Sequence, residues 1–271
     1  LNIIPFENGL KKALEEYECP NEAIIAVSVD ELFNCTLELL KRGCKKILVE
    51  KPAGLTINEI KTIENVSRNN NSKVYVAYNR RFYNSVITLQ EKIEADGGIS
   101  SINFEFTELG FELKNNKKFS EKVMSKWLLA NSSHVIDLIF FLIGVPNDNS
   151  SSYYQSGESK WHNNSRFHGA GLSIKNIPFS YQADWECPGR WGIEIMTKKN
   201  RYFLRPMEEL HYIKLGEFTM KKMRLKKSID NKFKPGLLEQ CKAFFSEKNG
   251  RLCSIENHLD HFKYYTKIAG Y

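Results

Sequence analysis

The sequence predicts an α/β chain in two parts, a parallel-sheet domain followed by an α+β domain with a mainly antiparallel open sheet. Three observations carry this expectation. Two apolar runs of strand length, Ala23 to Ser28 and Lys46 to Glu50, and a third strand, Lys73 to Tyr78, alternate with helix-spaced segments, an order that implies a parallel sheet with right-handed crossovers. Beyond Tyr78 the strands alternate apolar and polar residues, as sheets covered on one face do. The composition, 271 residues with 42% apolar, 12% aromatic and 26% charged side chains, is globular and of two-domain size, which excludes disorder, collagen-like repeats and small disulfide-stapled scaffolds.

In chain order, Leu10 to Glu18 reads as a short helix, and Ala23 to Ser28 as a strand suited to burial on both faces. Glu31 to Arg42 has helical spacing, with Leu32, Cys35, Leu39 and Leu40 on one side, Asp30 placed as its cap and Gly43 at its end. After the strand Lys46 to Glu50, Thr56 to Ser67 opens with a Thr-x-x-Glu capping box. A helix near Ser85 to Glu94 follows the third strand. Strands are expected at Ile102 to Thr107, Phe167 to Ile174, Phe179 to Glu186, Ile193 to Thr197 and Tyr202 to Arg205, with a hairpin at Lys198-Lys199-Asn200. Helices at Ser133 to Ile143, Leu237 to Ser246 and Ser254 to Ile268 would cover one face of that sheet, and Asn147 to Ser152 reads as a polar loop. The boundary falls near residue 79, giving domains 1–78 and 79–271.

The formal charge is +7, with a basic run at Lys221 to Lys227. No aromatic stacking platform accompanies that run, so a solvated strand or loop is favoured over a nucleic-acid contact, while the net field suits an anionic small substrate. The longest apolar run, Val135 to Val145, contains Asp137 and is half the ~20 residues a bilayer span needs; no membrane partner is expected. Six cysteines, at 19, 35, 44, 187, 241 and 253, lack C-x-x-C spacing and read as reduced, buried thiols in a cytoplasmic protein. The sequence starts at Leu1 without signal-peptide features, and a truncated amino terminus is expected.

Three segments could carry chemistry. Val49-Glu50-Lys51-Pro52 puts a charged pair at the carboxyl end of a parallel strand, where open α/β sheets form ligand crevices; an ordinary solvated strand end has equal weight. In Ala130-Asn131-Ser132-Ser133-His134-Val135-Ile136-Asp137, polar residues lead into an apolar helix. An imidazole in the first turn would be kept neutral by the helix dipole and available for proton transfer, or would be a capping or core histidine; Asp137 is as much a local partner as a base. Asn79-Arg80-Arg81-Phe82 follows the last parallel strand, either binding cofactor or substrate oxygens or forming a basic domain junction. His258-x-x-His261 with Asp260 has metal-ligand spacing, but no further ligands are evident, so a solvated helix is favoured and no metal is expected. Arg190 and Trp191 after Pro188-Gly189 either contact a sugar or nucleotide or form a strand-start turn.

Taken together, Ala26-Val27-Ser28, Glu50-Lys51-Pro52, Asn79-Arg80-Arg81-Phe82 and Ser133-His134-x-x-Asp137-Leu138, in this order, resemble the Gfo/Idh/MocA family of nicotinamide-dependent oxidoreductases over nearly the whole chain. Asp184-Trp185, Pro188-Gly189-Arg190-Trp191 and Phe233-Lys234-Pro235-Gly236 look like a branch associated with surface-polysaccharide sugars. The resemblance implies the later part of a Rossmann domain for NAD(P), then a substrate domain whose open sheet makes a homo-oligomer, a dimer or tetramer. It implies Lys51 and His134 as catalytic groups, Ser28, Val29, Glu50, Lys51, Asn79 and Arg80 near the cofactor, and Asn131 and Arg190 near a sugar or nucleotide-sugar substrate. Two departures stand out. No G-x-G-x-x-G occurs, as if roughly 60 residues of two ~30-residue βαβ units preceded Leu1. The acidic residue that the family carries four positions before the histidine is here Ala130. A noncatalytic sugar-binding or scaffolding protein that keeps the fold is the rival expectation.

Overall fold

Parallel pairing of short β-branched strands builds the first of two sheets. The computed structural model describes residues 4–225, 233–246 and 250–271. The chain divides into two units, residues up to Ala77 with Cys253–Leu259, and Tyr78–Leu252 with Asp260–Tyr271. In the first, α1 (Gly9–Glu16), β1 (Glu22–Ile25), α2 (Leu32–Lys41), β2 (Lys46–Glu50), α3 (Ile57–Asn69) and β3 (Lys73–Ala77) follow one another. β1 pairs with β2 and β2 with β3, both in parallel, with Ile25 opposite Val49 and Glu50 opposite Ala77. Ile47, Leu48, Val49, Val74 and Val76 are buried in this sheet, each worth about 1.5–3 kcal/mol relative to exposure. Thr56 and Glu59 close the expected capping box, each side chain accepting from the other's backbone N–H at 3.2 Å.

Two local expectations are corrected in this unit. Ala23 to Ser28 is not buried on both faces: β1 is the sheet's edge strand, ends at Ile25, and leaves Ile24 and Val27 about half exposed. Asp30 does not cap α2, because a 3₁₀ turn, Val29–Glu31, precedes that helix and encloses it. A third feature had no counterpart in the sequence reading. Cys253–Ser254 adds a two-residue strand antiparallel to β3.

The second unit comprises α4 (Asn84–Asp96), β4 (Ser101–Phe106), α5 (Gly110–Leu113), α6 (Glu121–Met124), α7 (Ser133–Ile143), β5 (Pro146–Ser156), β6 (Arg166–Ser173), β7 (Pro178–Asp184), β8 (Trp191–Met196), β9 (Asn200–Leu204), β10 (His211–Lys214), β11 (Lys221–Lys222) and α8 (Leu237–Phe245). The short strand at Cys253 is then β12, and α9 (Ile255–Ala269) begins in the first unit and ends in the second. The sheet order is β11-β10-β9-β8-β4-β7-β6-β5, antiparallel throughout except for β4 beside β7. Alternation explains it: Phe104 and Phe106 of β4, Tyr181 of β7, Ile193 and Ile195 of β8 and Leu204 of β9 are buried. Asn103 and Ser180 bond each other across the opposite face. Helix α7 packs on β4 and β8, and α4 on β9.

Further expectations are revised here. Asn147 to Ser152 lies in β5, an edge strand whose pairing with β6 shifts register between Pro146 and Ser151, so polar residues there mark an edge. Of the basic run, Lys221 and Lys222 form β11 and pair with Glu217 and Glu209; Lys226 and Lys227 lie outside the described residues. His258 and His261 are buried, not on a solvated helix face. His258 Nε2 meets the Pro52 carbonyl at 2.9 Å, whereas His261 Nδ1 lies 3.4 Å from Asp137, so the two imidazoles serve separate partners. Cys44 and Cys253 are buried as expected, but Cys187 is exposed. Among the described residues no helix is long and apolar enough to cross a membrane.

Gly236 stands immediately before α8 with φ +75°, and a Cβ there would collide with the Asn79 carbonyl oxygen. Strained left-handed backbone and a clash with backbone act together, so Gly236→Ala is expected to cost about 1–3 kcal/mol in equilibrium denaturation.

Candidate functional site

Register fixes the first group of residues. Since Ile25 stands level with Val49, Ala26 to Val29 and Glu50 to Lys51 leave the sheet along one carboxyl edge, the edge at which open α/β sheets bind ligands. Ser28 is exposed and opens the 3₁₀ turn that carries Asp30 and Glu31. The Glu50 carboxylate accepts from the Lys51 backbone N–H at 3.3 Å, and the Glu50 carbonyl accepts from Ala53 N–H at 3.0 Å. The Lys51-Pro52 bond is cis. Pro52 to Leu55 are buried while Lys51 is half-exposed. The turn that presents the lysine is therefore anchored from both sides, by Glu50 and by the bond between His258 and Pro52.

The second unit holds a cavity of ≈ 540 Å³ walled by Arg80, Tyr83, Glu108, Arg190, Trp191 and Met207, among others. Arg80 donates to Asn79 Oδ1 at 2.8 Å and lies over the Tyr83 and Trp191 rings, 5.7 and 5.1 Å from their centroids. Asn79, expected beside a cofactor, is buried and donates to the Pro235 carbonyl at 3.0 Å; its side chain orients Arg80. Arg190 is exposed at the cavity wall. Gly189 lets this turn approach β4, because a Cβ would meet Glu105 and Thr107 at 2.6–2.7 Å.

Glu108 is the residue that the sequence reading passed over. It follows β4 and is 7% exposed. Its Oε1 accepts from Ser132 Oγ at 2.6 Å and from Asn131 Nδ2 at 3.1 Å, and its Oε2 from Asn131 at 2.9 Å. Burial pushes its carboxyl above the ordinary range, and the Ser132 and Asn131 bonds offset only part of that. Asn131, expected on substrate, thus holds a carboxyl of the cavity wall. The signal was present: a charged residue directly after a strand is what drew attention to Glu50 and Lys51.

His134 is 4% exposed, its ring edge-on to Tyr78 at 5.8 Å and 6.1 Å from Trp191. The dipole argument for it is corrected. A π-helical turn, Leu128–Ser132, runs straight into α7, and Ser133 Oγ bonds back to the Leu129 carbonyl at 2.7 Å. His134 is therefore a full turn or more inside continuous helix, where the terminal field has fallen away. Asp137 takes the structural reading: Arg81 grips it with two bonds of 2.6 and 2.7 Å, and both are buried. Burial would raise its carboxyl, but Arg81 and then His261 hold it below the usual range. Lys51 belongs to the first unit and His134 to the second.

No protein-family model matches the chain, and a search of curated proteins gives no match. Solved structures do match. A protein of Desulfitobacterium hafniense named as an NADPH-dependent oxidoreductase superposes with TM-score 0.77 at 17% identity, over 96% of this chain and 80% of that one. A UDP-N-acetylglucosamine 3-dehydrogenase of Acidithiobacillus ferrooxidans gives 0.72 at 12% identity, over 97% and 80%. A super-repressor mutant of a Saccharomyces cerevisiae protein gives 0.74 at 12%, over 91% and 76%. The chain thus shares the fold of these proteins, and the α/β class expected from the sequence is the one observed.

Proposed function

We propose that this chain is an NAD(P)-dependent oxidoreductase acting on a sugar or nucleotide sugar. Residues 1–78 would serve as the later part of the dinucleotide-binding domain and 79–271 as the substrate and oligomerisation domain. The observation that carries the reading is the fold, matched over nearly the whole chain to an NADPH-dependent oxidoreductase and a nucleotide-sugar dehydrogenase, with Lys51 held at the carboxyl edge of the parallel sheet. A cytoplasmic setting, a role in surface-polysaccharide synthesis and a homo-oligomer formed through the open sheet belong to the same proposal.

The residues present fit one half of the cofactor. At the carboxyl edge, the Ser28–Val29 turn offers backbone and hydroxyl groups, Glu50 an acceptor carboxylate and Lys51 a cation, a set suited to a ribose or nicotinamide. Asp30 and Glu31 in the adjoining turn would repel a diphosphate, and no glycine-rich cradle for one occurs in the sequence. When bound, NAD(P) supplies the hydride acceptor or donor. Lys51 is assigned the stabilisation of negative charge developing on a substrate oxygen. His134 is assigned the proton transfer, and Arg80 and Arg190 the contacts to substrate oxygens.

The test is cofactor binding by fluorescence and turnover with a panel of nucleotide sugars. Lys51→Ala and His134→Ala are each expected to lower turnover about 10²-fold or more, with nicotinamide binding retained in His134→Ala. Protein that binds neither the dinucleotides nor nicotinamide mononucleotide, the half of the cofactor that the residues present fit, ends the enzyme reading. Binding of a sugar without turnover would favour the noncatalytic rival, which Ala130 and the fold shared with a repressor support.

A further inference from the structure

We infer that Glu108 is a catalytic carboxyl of the second unit, exchanging a proton with a substrate oxygen in the cavity it shares with Arg80, Arg190 and Trp191. The inference rests on the oxidoreductase reading above, with Glu108 rather than His134 as the group that takes the substrate proton. Four observations lead to it.

Glu108 lines the ≈ 540 Å³ cavity, whereas His134 is packed against the Tyr78 and Trp191 rings. Its carboxyl is buried, yet among the described residues no cation pairs with it; its donors Asn131 and Ser132 are neutral. An ionised carboxylate buried without a cation is costly, so such a group readily takes up a proton. The contrast with the neighbouring buried carboxylates is direct: Glu105 is paired with Arg205 at 2.7 Å and Asp137 with Arg81. Finally, Asn131 and Ser132 come from the π-helical turn that also contains Ala130, so the polypeptide that lacks a carboxyl of its own holds this one in place.

The proton step balances simply. In the oxidative direction the substrate O–H bond breaks and a carboxyl O–H bond forms on Glu108. The carbon–oxygen double bond closes as the C–H electron pair departs with the hydride to oxidised nicotinamide. In the reductive direction Glu108 returns the proton to the carbonyl oxygen. Arg80 and Arg190 on the same wall suit an anionic substituent of the sugar, and the Trp191 face suits its ring.

Glu108→Gln keeps the shape of the side chain and removes its titration. Expected is a fall in kcat of about 10²-fold or more with KM changed only a few-fold. The limb of the pH–rate profile set by a carboxyl above the ordinary range should also vanish. Glu108→Asp, which restores the carboxyl, should regain part of the rate and the limb. An infrared pH titration of the unliganded protein should show a carboxylic C=O stretch that persists above the ordinary glutamate range and is missing in E108Q. If E108Q keeps both the rate and the limb, or if no E108Q-sensitive band titrates above that range, this inference is overturned while the oxidoreductase reading stands. Wild-type protein that turns over no sugar overturns both.

Discussion

Replacing Arg81 by alanine is expected to destabilise the protein by about 3–5 kcal/mol, measured as a shift in the urea midpoint at unchanged slope. Arg81 and Asp137 are both buried and meet through two short, parallel hydrogen bonds. Truncating one leaves the other charged, desolvated and unpartnered by its fork. For Asp137 the remaining relief is His261, whose Nδ1 lies 3.4 Å away, a single longer contact in place of two short ones. Arg251 donates to the Arg81 carbonyl and lies 5.2 Å from the Phe141 ring centroid, over which the Arg81 guanidinium also sits at 4.8 Å. Removing Asp137 would therefore leave the buried Arg81 and the half-buried Arg251 guanidiniums around one aromatic ring. Asp137→Ala should cost as much as Arg81→Ala, and the double replacement Arg81→Met with Asp137→Leu less than either alone, since two apolar side chains leave no orphaned charge. A double variant as unstable as the sum of the singles would show that the pair contributes packing rather than charge compensation.

The same pair shows what a sequence can and cannot disclose. The sequence offers Asp137 as a local hydrogen-bonding partner or a base; its partner is instead Arg81, 56 positions away, because the pairing depends on how α7 meets the turn after β3. Elements whose own residues decide them were readable: the buried strand β2, the capping box of α3, the apolar helix α7, the hairpin between β8 and β9. The edge strands were not. β5 is written in Asn and Ser and β11 in lysines, so neither carries apolar alternation, and their strand character comes from the neighbour they pair with. Cys253–Ser254 is too short to show any period, yet β3 offers it an edge.

Site residues divide in the same way. Lys51 and Arg80 were visible because a charge after a strand end is informative without tertiary knowledge. Glu108 meets that criterion too, but its weight comes from burial and from Asn131 and Ser132, 23 and 24 positions on. Asn79 is expected as a ligand contact from its place after β3, and Asn131 from the family resemblance. Their amides are instead engaged within the second unit, and each orients a charged residue of the cavity wall, Arg80 in one case and Glu108 in the other.

Acid is expected to weaken the second unit through His162, a residue without any role in the proposed chemistry. Its ring is 2% exposed, edge-on to Trp185 at 4.8 Å, with Nδ1 2.7 Å from the Asn164 carbonyl and Nε2 2.7 Å from the Tyr271 hydroxyl. Burial, with Lys126 nearby adding repulsion, lowers its pKa from 6.5 to about 4, despite the opposing bond to Asn164. The folded state therefore resists a proton that the unfolded chain accepts below about pH 6.5. Above that pH neither state is charged and His162 contributes no slope. Between pH 6.5 and 4 the unfolded chain binds more protons, so stability falls with pH, by about 3 kcal/mol in all at 1.36 kcal/mol per unit. Below pH 4 both states are charged and the slope ends. Urea denaturation at intervals from pH 7 to 4 should show this loss, and His162→Gln, which keeps a polar group but cannot titrate, should remove most of the slope in that window whatever it does to stability at pH 7. An acid slope undiminished in H162Q would place the responsible group elsewhere, because no other change in that variant alters a titration between the two pH values.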